Sequence, residues 1–318
     1  MGKSTLLALA CVAGCANTSG STTEVCTAPS RVTAQPMPQW TGSVFTIVME
    51  NHSRHDIIGN KHAPYINQLA AHGVLAAGYH GPYVHPSEPN YLWMTAGQNF
   101  GVLDDFDPVK HPIVSTAHIA DQLEAAGLTW KAYAESMGEP CGLVSHGRYA
   151  AKHEPFVYYA DINGWDGKTF RPSKRCVDHI VDYSELDKDI AAGTVPRYVF
   201  ITPNLDNDMH DGSIAHGDLW LSQELPKIMA TDAFKNNGVI FLLWDEGGGT
   251  FSPADDPPFI AISPLAKGGY VSNATYDTSS YLQTVRAVLG LADVQCGGSA
   301  QKKPAPMTDL FAVPLASL

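Results

Sequence analysis

Positive charge is scarce in this chain: 20 Lys and Arg stand against 32 Asp and Glu in 318 residues, a formal net charge of -12. That balance excludes a nucleic-acid partner held by a basic patch. It does not exclude a phosphorylated ligand, because a bound cation can invert the field at a single site. No apolar run reaches the ~20 residues that a membrane-spanning helix needs. The six cysteines include no CxxC pair, which argues against a thiolate zinc site. A GxSxG motif is also missing, so a serine-triad hydrolase with a nucleophile elbow is disfavoured. Internal repeats are absent. Hydrophobic content of 44% with 16% charged residues suits a folded globular protein.

At the N-terminus, Lys3 precedes the short apolar run Leu6-Leu7-Ala8-Leu9-Ala10-Cys11-Val12-Ala13. The run ends in Val12-Ala13-Gly14-Cys15, which looks like the lipobox of bacterial lipoproteins. The expectation is a signal peptide over residues 1–14, lipid on Cys15, and a Ser/Thr/Pro-rich tether over residues 15–40. The folded domain is then expected over residues 41–318, exported and anchored to a bacterial membrane on the periplasmic or cell-surface side. An ordinary secretory signal cleaved nearby is the alternative. Cys26, Cys141, Cys176 and Cys296 remain, with three pairings open in an oxidising compartment. Cys141 with Cys176 would staple one insertion, and Cys26 with Cys296 would tie the two ends; this is the favoured pairing.

Apolar runs suited to buried parallel strands occur at Val44–Met49, Trp130–Ala134, Tyr198–Thr202, Val239–Trp244 and Phe259–Ser263. Helical patterns lie between them, at Pro64–Ala71, Thr116–Ala126, Tyr183–Ala192, His216–Met229 and Ser279–Leu289. The alternation predicts a three-layer α/β/α sandwich with a mostly parallel central sheet. Met137–Arg175, rich in Gly, Pro and aromatic residues, fits neither period and reads as an insertion over the site.

Ligands of open α/β sheets bind beyond the carboxyl ends of the strands, so polar residues directly after apolar strands are the candidates. Glu50-Asn51 follows the first strand and offers a carboxylate and an amide oxygen for a hard cation. Asp245-Glu246, before Gly247-Gly248-Gly249, follows Val239–Trp244; paired carboxylates there are costly without a cation or donors. Ser87 in His85-Pro86-Ser87-Glu88-Pro89-Asn90 stands at the first turn of a helix, where N–H groups and the dipole favour an anion. Read alone, Ser87 is an N-cap. Thr202-Pro203-Asn204-Leu205-Asp206-Asn207-Asp208-Met209-His210 follows another strand, and His210 could protonate a leaving alkoxide. His52, His55, His62, His72 and His80 are assigned structural or surface roles. Asp104-Asp105 and Asp255-Asp256 are read as solvated loops.

Together, VMENHS, HPSEPNYLWMTAG, TPNLDNDMHDG and LLWDEGGG, with the ending SSYLQTVRAVLGL and PMTDLF, resemble the phosphoesterase family. That family includes bacterial acid phosphatases and phospholipases C within the alkaline-phosphatase-like superfamily. The resemblance spans Ser43 to Phe311. It implies an alkaline-phosphatase-like fold and one divalent metal ion (Mg, Ca, Mn or Zn) held by Glu50, Asn51, Ser87, Asp245 and Glu246. Ser87 would be the nucleophile and His210 its catalytic partner, with Asn90, His85, Asn207 and Asp208 around the phosphoryl group. The implied activity is phosphomonoester hydrolysis on a small-molecule or lipid phosphoester, phosphatidylinositol phosphates included. One departure matters: phospholipase C members resemble DEHGGFYDHV, whereas this chain reads DEGGGTFSPADDPPF without a histidine. That favours a single-metal phosphatase over the alternatives. These are a phospholipase C-type phosphodiesterase and a surface lipoprotein that binds a phosphorylated ligand without turnover.

Overall fold

The computed structural model describes residues 39–249, 255–292 and 304–315, with two short strands, Cys26–Thr27 and Gln295–Cys296. The expected signal peptide, Cys15 and most of the expected tether lie outside the described residues.

Eight strands form one sheet: β1 (Val44–Met49), β2 (Val74–Ala76), β3 (Trp130–Ala134), β4 (Ile180–Asp182), β5 (Tyr198–Thr202), β6 (Val239–Trp244), β7 (Phe259–Ile262) and β8 (Tyr270–Ser272). Their order is β8-β2-β7-β6-β1-β5-β3-β4. Strand β7 runs antiparallel to both neighbours, and every other pairing is parallel. The sheet is thus mostly parallel, as the alternating pattern predicts.

Strands β1, β5 and β6 are buried at every position, which a sheet covered on both faces requires. Register between β1 and β6 runs from Val44 opposite Val239 to Met49 opposite Trp244. Alternate side chains enter different cores: Val44, Val48, Phe241 and Leu243 on one face, Phe45, Ile47, Leu242 and Trp244 on the other. The first core is closed by helices α2 (Ser87–Ala96) and α6 (Thr278–Leu289), the second by α1 (Pro64–His72) and α5 (Ile214–Met229). Helices α3 (Ile119–Ala125) and α4 (Ser184–Ala192) complete the outer layers. Each large side chain so buried contributes ~1.5–3 kcal/mol. Slipping a strand by one residue would exchange the two faces, so burial fixes the register.

The sequence patterns missed β2, β4 and β8, because three residues are too few to display a period. Helix α5 starts two residues before the expected His216, since the Ser213 side chain accepts from the His216 amide at 3.2 Å. Residues 137–175 contain no long element. They form two 3-10 turns, Ala151–His153 and Pro155–Tyr158, and the short helix Ala160–Asn163. The expected Cys141–Cys176 disulfide is present and closes this segment. Cys26 and Cys296 stand opposite each other in an antiparallel backbone pair, though their side chains lie outside the description.

Replacing Cys141 and Cys176 by Ser opens a loop spanning a separation of 35 residues. The expected loss of unfolding free energy is about 3–4 kcal/mol by loop-closure entropy. Scanning calorimetry with and without reductant measures it, and equal transitions would contradict a stabilising role.

Candidate active site

Parallel pairing places the carboxyl ends of β1, β5 and β6 side by side, so the segments after them emerge at one rim. The Glu50 amide donates to the Asp208 carbonyl at 2.8 Å and the Asp245 amide to the Met49 carbonyl at 3.1 Å, tying the three ends together. Asn51 takes the left-handed conformation (φ 50), which asparagine tolerates better than most residues. Its amide N–H donates to Asp245 Oδ1 at 3.2 Å. Gly247 is required after the carboxylate pair, because a Cβ there would meet the Asp255 carbonyl oxygen at 1.5 Å.

Ser87 begins α2, 1% exposed, and its hydroxyl donates to Glu50 Oε2 at 3.0 Å. One end of the Asn51 side-chain amide lies 3.1 Å from Glu50 Oε2 and 3.1 Å from Glu246 Oε1. A nitrogen there donates to both carboxylates; an oxygen there completes a cluster that only a cation could hold together. Glu50, Asn51, Ser87, Asp245 and Glu246 therefore do meet, although Glu50 and Glu246 are 196 positions apart in sequence.

The donor set suits a hard divalent ion. Four carboxylates, Glu50, Asp208, Asp245 and Glu246, are buried within the site, and Asp208 Oδ2 and Asp245 Oδ2 lack hydrogen-bond partners. Burial pushes Glu246 up to about 9, with the Asp245 charge adding to it, and raises Asp208 to about 8 and Asp245 to about 6. Glu50 is raised well above the ordinary carboxylate range by burial and by the charges of Asp245 and Asp208. Two positive charges among these oxygens would reverse that preference and keep them ionised.

The remaining expected residues divide. His85 Nδ1 lies 2.5 Å from Glu246 Oε2. Asn90 donates to Glu246 Oε2 at 3.1 Å and to the Val84 and Pro86 carbonyls at 2.8 and 3.3 Å. Its nitrogen therefore orients a carboxylate instead of facing a phosphoryl oxygen. Asp208 Oδ1 accepts from the His210 amide at 2.7 Å. His210, Glu50 and His153 each offer a ligand atom, all within 4.8 Å of one another. The Asn207 side-chain amide donates to both Glu135 oxygens at 2.8 Å, Glu135 being the residue directly after β3.

Four neighbours carried no signal that singled them out. His153, 1% exposed, sits between Glu50 Oε1 at 3.4 Å and Asp208 Oδ2 at 3.3 Å and stacks on Tyr91. Burial holds its pKa well below the usual histidine value, reinforced by Lys152 and His210. The Tyr91 hydroxyl donates to Glu50 Oε1; Tyr91 lies four residues after Ser87, one turn further along the same helix face. Burial disfavours the Lys152 ammonium, but Asp105 at 2.7 Å and the charges of Glu50 and Asp245 hold its pKa above the ordinary value. Asp105 also accepts from the Glu88 amide at 3.0 Å, so the solvated loop expected there is a wall of the site. His118, Asp121 and Asp161 form a second group of possible ligands, but Arg175 donates to both carboxylates and neutralises it.

The chain is 35% identical over 269 residues to a phosphatidylinositol-3-phosphatase of Mycobacterium tuberculosis, covering 84% of this chain and 82% of that one. It is 28% identical to an acid phosphatase of Aspergillus fumigatus, across 80% of this chain but only 57% of the longer fungal protein. Among solved structures, human ectonucleotide pyrophosphatase/phosphodiesterase 5 shares the fold at a TM-score of 0.55 and 12% identity, covering 85% of this chain and all of that one. A protein of the alkaline phosphatase superfamily from Vibrio parahaemolyticus does so at 0.54 and 11%, covering 79% and 67%. With its residues 30–292 matching the family model, and the rim residues assembled as described, this chain is a member of the Phosphoesterase family.

Proposed function

We propose that this protein is a divalent-metal-dependent phosphomonoesterase that works through a phosphoserine on Ser87. The broader assignment, a hydrolase of phosphoric esters, follows from its family and relatives. The observation that carries the mechanism is the buried Ser87 hydroxyl at a helix start, 3.0 Å from one carboxylate of a four-carboxylate cluster.

Glu50, Asn51, Ser87, Asp245 and Glu246 would hold the cation. When bound, it supplies positive charge that favours the deprotonated Ser87 hydroxyl and the charge developing on the phosphoryl group. Ser87 attacks phosphorus in line, the alcohol leaves, and water then hydrolyses the phosphoserine. Lys152 contributes a positive field over the phosphoryl oxygens. His210, 27% exposed and held at Nδ1 by Asp211 at 2.8 Å, would give a proton to the leaving alkoxide through its other nitrogen. Asn90 and His85 fix Glu246, and Tyr91 and His153 fix Glu50; such support commonly governs metal affinity.

The relatives' names suggest small or lipid-linked phosphomonoesters, including phosphatidylinositol phosphates, as substrates. Export, with lipid on Cys15, is part of the same proposal and rests on the N-terminal sequence. The purified chain should release phosphate from p-nitrophenyl phosphate about a hundredfold faster than it cleaves bis(p-nitrophenyl) phosphate or the phosphorylcholine diester. The reverse order in kcat/KM would assign a phosphodiesterase.

A further inference from the structure

A cleft of about 600 Å³ opens beside the carboxylate cluster, with Asn51, His52, His55, Asp56, Ile58 and Ile214 in its lining. That volume is in the range of small-molecule sites. Asn51 belongs to both places: its amide N–H donates to Asp245, and one end of its side chain lies against Glu50 and Glu246. The cleft therefore begins at the edge of the cluster.

Its position on the sheet decides what can enter it. Ser87 begins α2, whose Tyr91, Leu92 and Met94 pack into the first core. The cleft lies between the segment around the short helix Arg54–Ile57 and the start of α5. Ile57 of that short helix, and Trp220, Leu221 and Leu225 of α5, pack into the second core. Nucleophile and cleft thus reach the strand ends from opposite faces of the sheet. In-line displacement puts the attacking and leaving oxygens on opposite sides of phosphorus. A phosphoryl group at the cluster, attacked by Ser87, sends its alcohol toward the cleft.

The lining specifies that alcohol. His52 is half-buried and makes no side-chain hydrogen bond among the described residues. His55 Nε2 meets Asp56 Oδ1 at 3.4 Å, their side chains 65% and 39% exposed. Two imidazoles and a carboxylate offer donors and acceptors to hydroxyl groups, while Ile58 and Ile214 cover a carbon skeleton. Among the described residues the lining has no Lys or Arg, so nothing in it selects for a second phosphate. A hydrocarbon leaving group would displace water from these polar groups without replacing its hydrogen bonds. We infer that this cleft is the leaving-group subsite, selecting phosphomonoesters of polyhydroxylated alcohols through His52 and His55. The inference rests on the phosphomonoesterase reading above.

The test compares sorbitol 6-phosphate with n-hexyl phosphate on the full, metal-loaded chain; both are primary monoesters of equal carbon count and differ in their hydroxyls. The parent should favour the sorbitol ester in kcat/KM by about tenfold or more. His52→Ala and His55→Ala should each lower that ratio at least about threefold, and His52→Asn, which keeps a hydrogen-bonding group, should retain most of it. Because the ratio is taken within one enzyme, damage common to both substrates cancels. If His52→Ala does not fold, His55→Ala, with its largely exposed side chain, carries the test alone. A parent ratio within about twofold of unity, or variant ratios equal to the parent's, overturns the inference. If the parent also releases no phosphate from p-nitrophenyl phosphate, the phosphatase reading fails, and sorbitol binding by saturation-transfer NMR then judges the cleft by itself. A parent signal that His52→Ala or His55→Ala abolishes upholds the subsite; any other result overturns it.

Discussion

Ser87→Ala should lower the kcat for phosphate release by at least about a thousandfold while the protein stays folded. In the proposed mechanism this hydroxyl attacks phosphorus; in the structure it donates to Glu50 Oε2 at 3.0 Å. Alanine removes a single buried donor and leaves α2 intact, because Pro86 already occupies the N-cap position without a side-chain cap bond. Circular dichroism should therefore match the parent. Acid quenching of the parent during turnover, followed by peptide mass spectrometry, should find phosphate on Ser87 and nowhere else. Full activity in Ser87→Ala would remove the nucleophile from the mechanism and leave a water-attack phosphoesterase or a binding protein.

Chelation is the second large effect. Stripping divalent ions should abolish phosphate release, and adding them back one at a time should restore it and name the metal. The stripped protein also carries a stability signature of its own. Burial raises Glu246 to about 9, Asp208 to about 8 and Asp245 to about 6, against ordinary values near ~4 in the unfolded chain. The folded state therefore holds more protons than the unfolded state between about pH 4 and about pH 9. Stability is fully present below the unfolded values and is lost as pH rises through the folded ones. The metal-free melting temperature should fall steadily from pH 5 to pH 9. A divalent ion at about a hundred times its Kd adds ~2.7 kcal/mol, and its affinity grows as the ligands lose protons. The gap between loaded and stripped melting curves should widen with pH. Scanning fluorimetry across that range measures both slopes. A flat metal-free curve would mean that the four carboxylates do not share a buried site.

Much of this was legible in the chain because the decisive signals are local. Apolar runs that end in Glu50-Asn51 and Asp245-Glu246 announce both a buried strand and a costly carboxylate at its end, two facts carried by adjacent residues. Ser87 was legible as a helix start, and the pairing of Cys141 with Cys176 as a staple across one segment. His153 and Lys152 were not, since they lie in an insertion without periodicity, and only its folding back beneath the disulfide brings them to Glu50.

Composition and order along the chain thus determined the fold class and the identity of the carboxylates near the strand ends. Those properties depend on burial and period, which short stretches of residues express by themselves. The tertiary structure alone decided which side chains face the serine, that Asn90 donates to Glu246, and that Asp105 builds a wall. Each of these depends on distances between segments far apart in sequence, set by strand register and loop return, which no local pattern encodes.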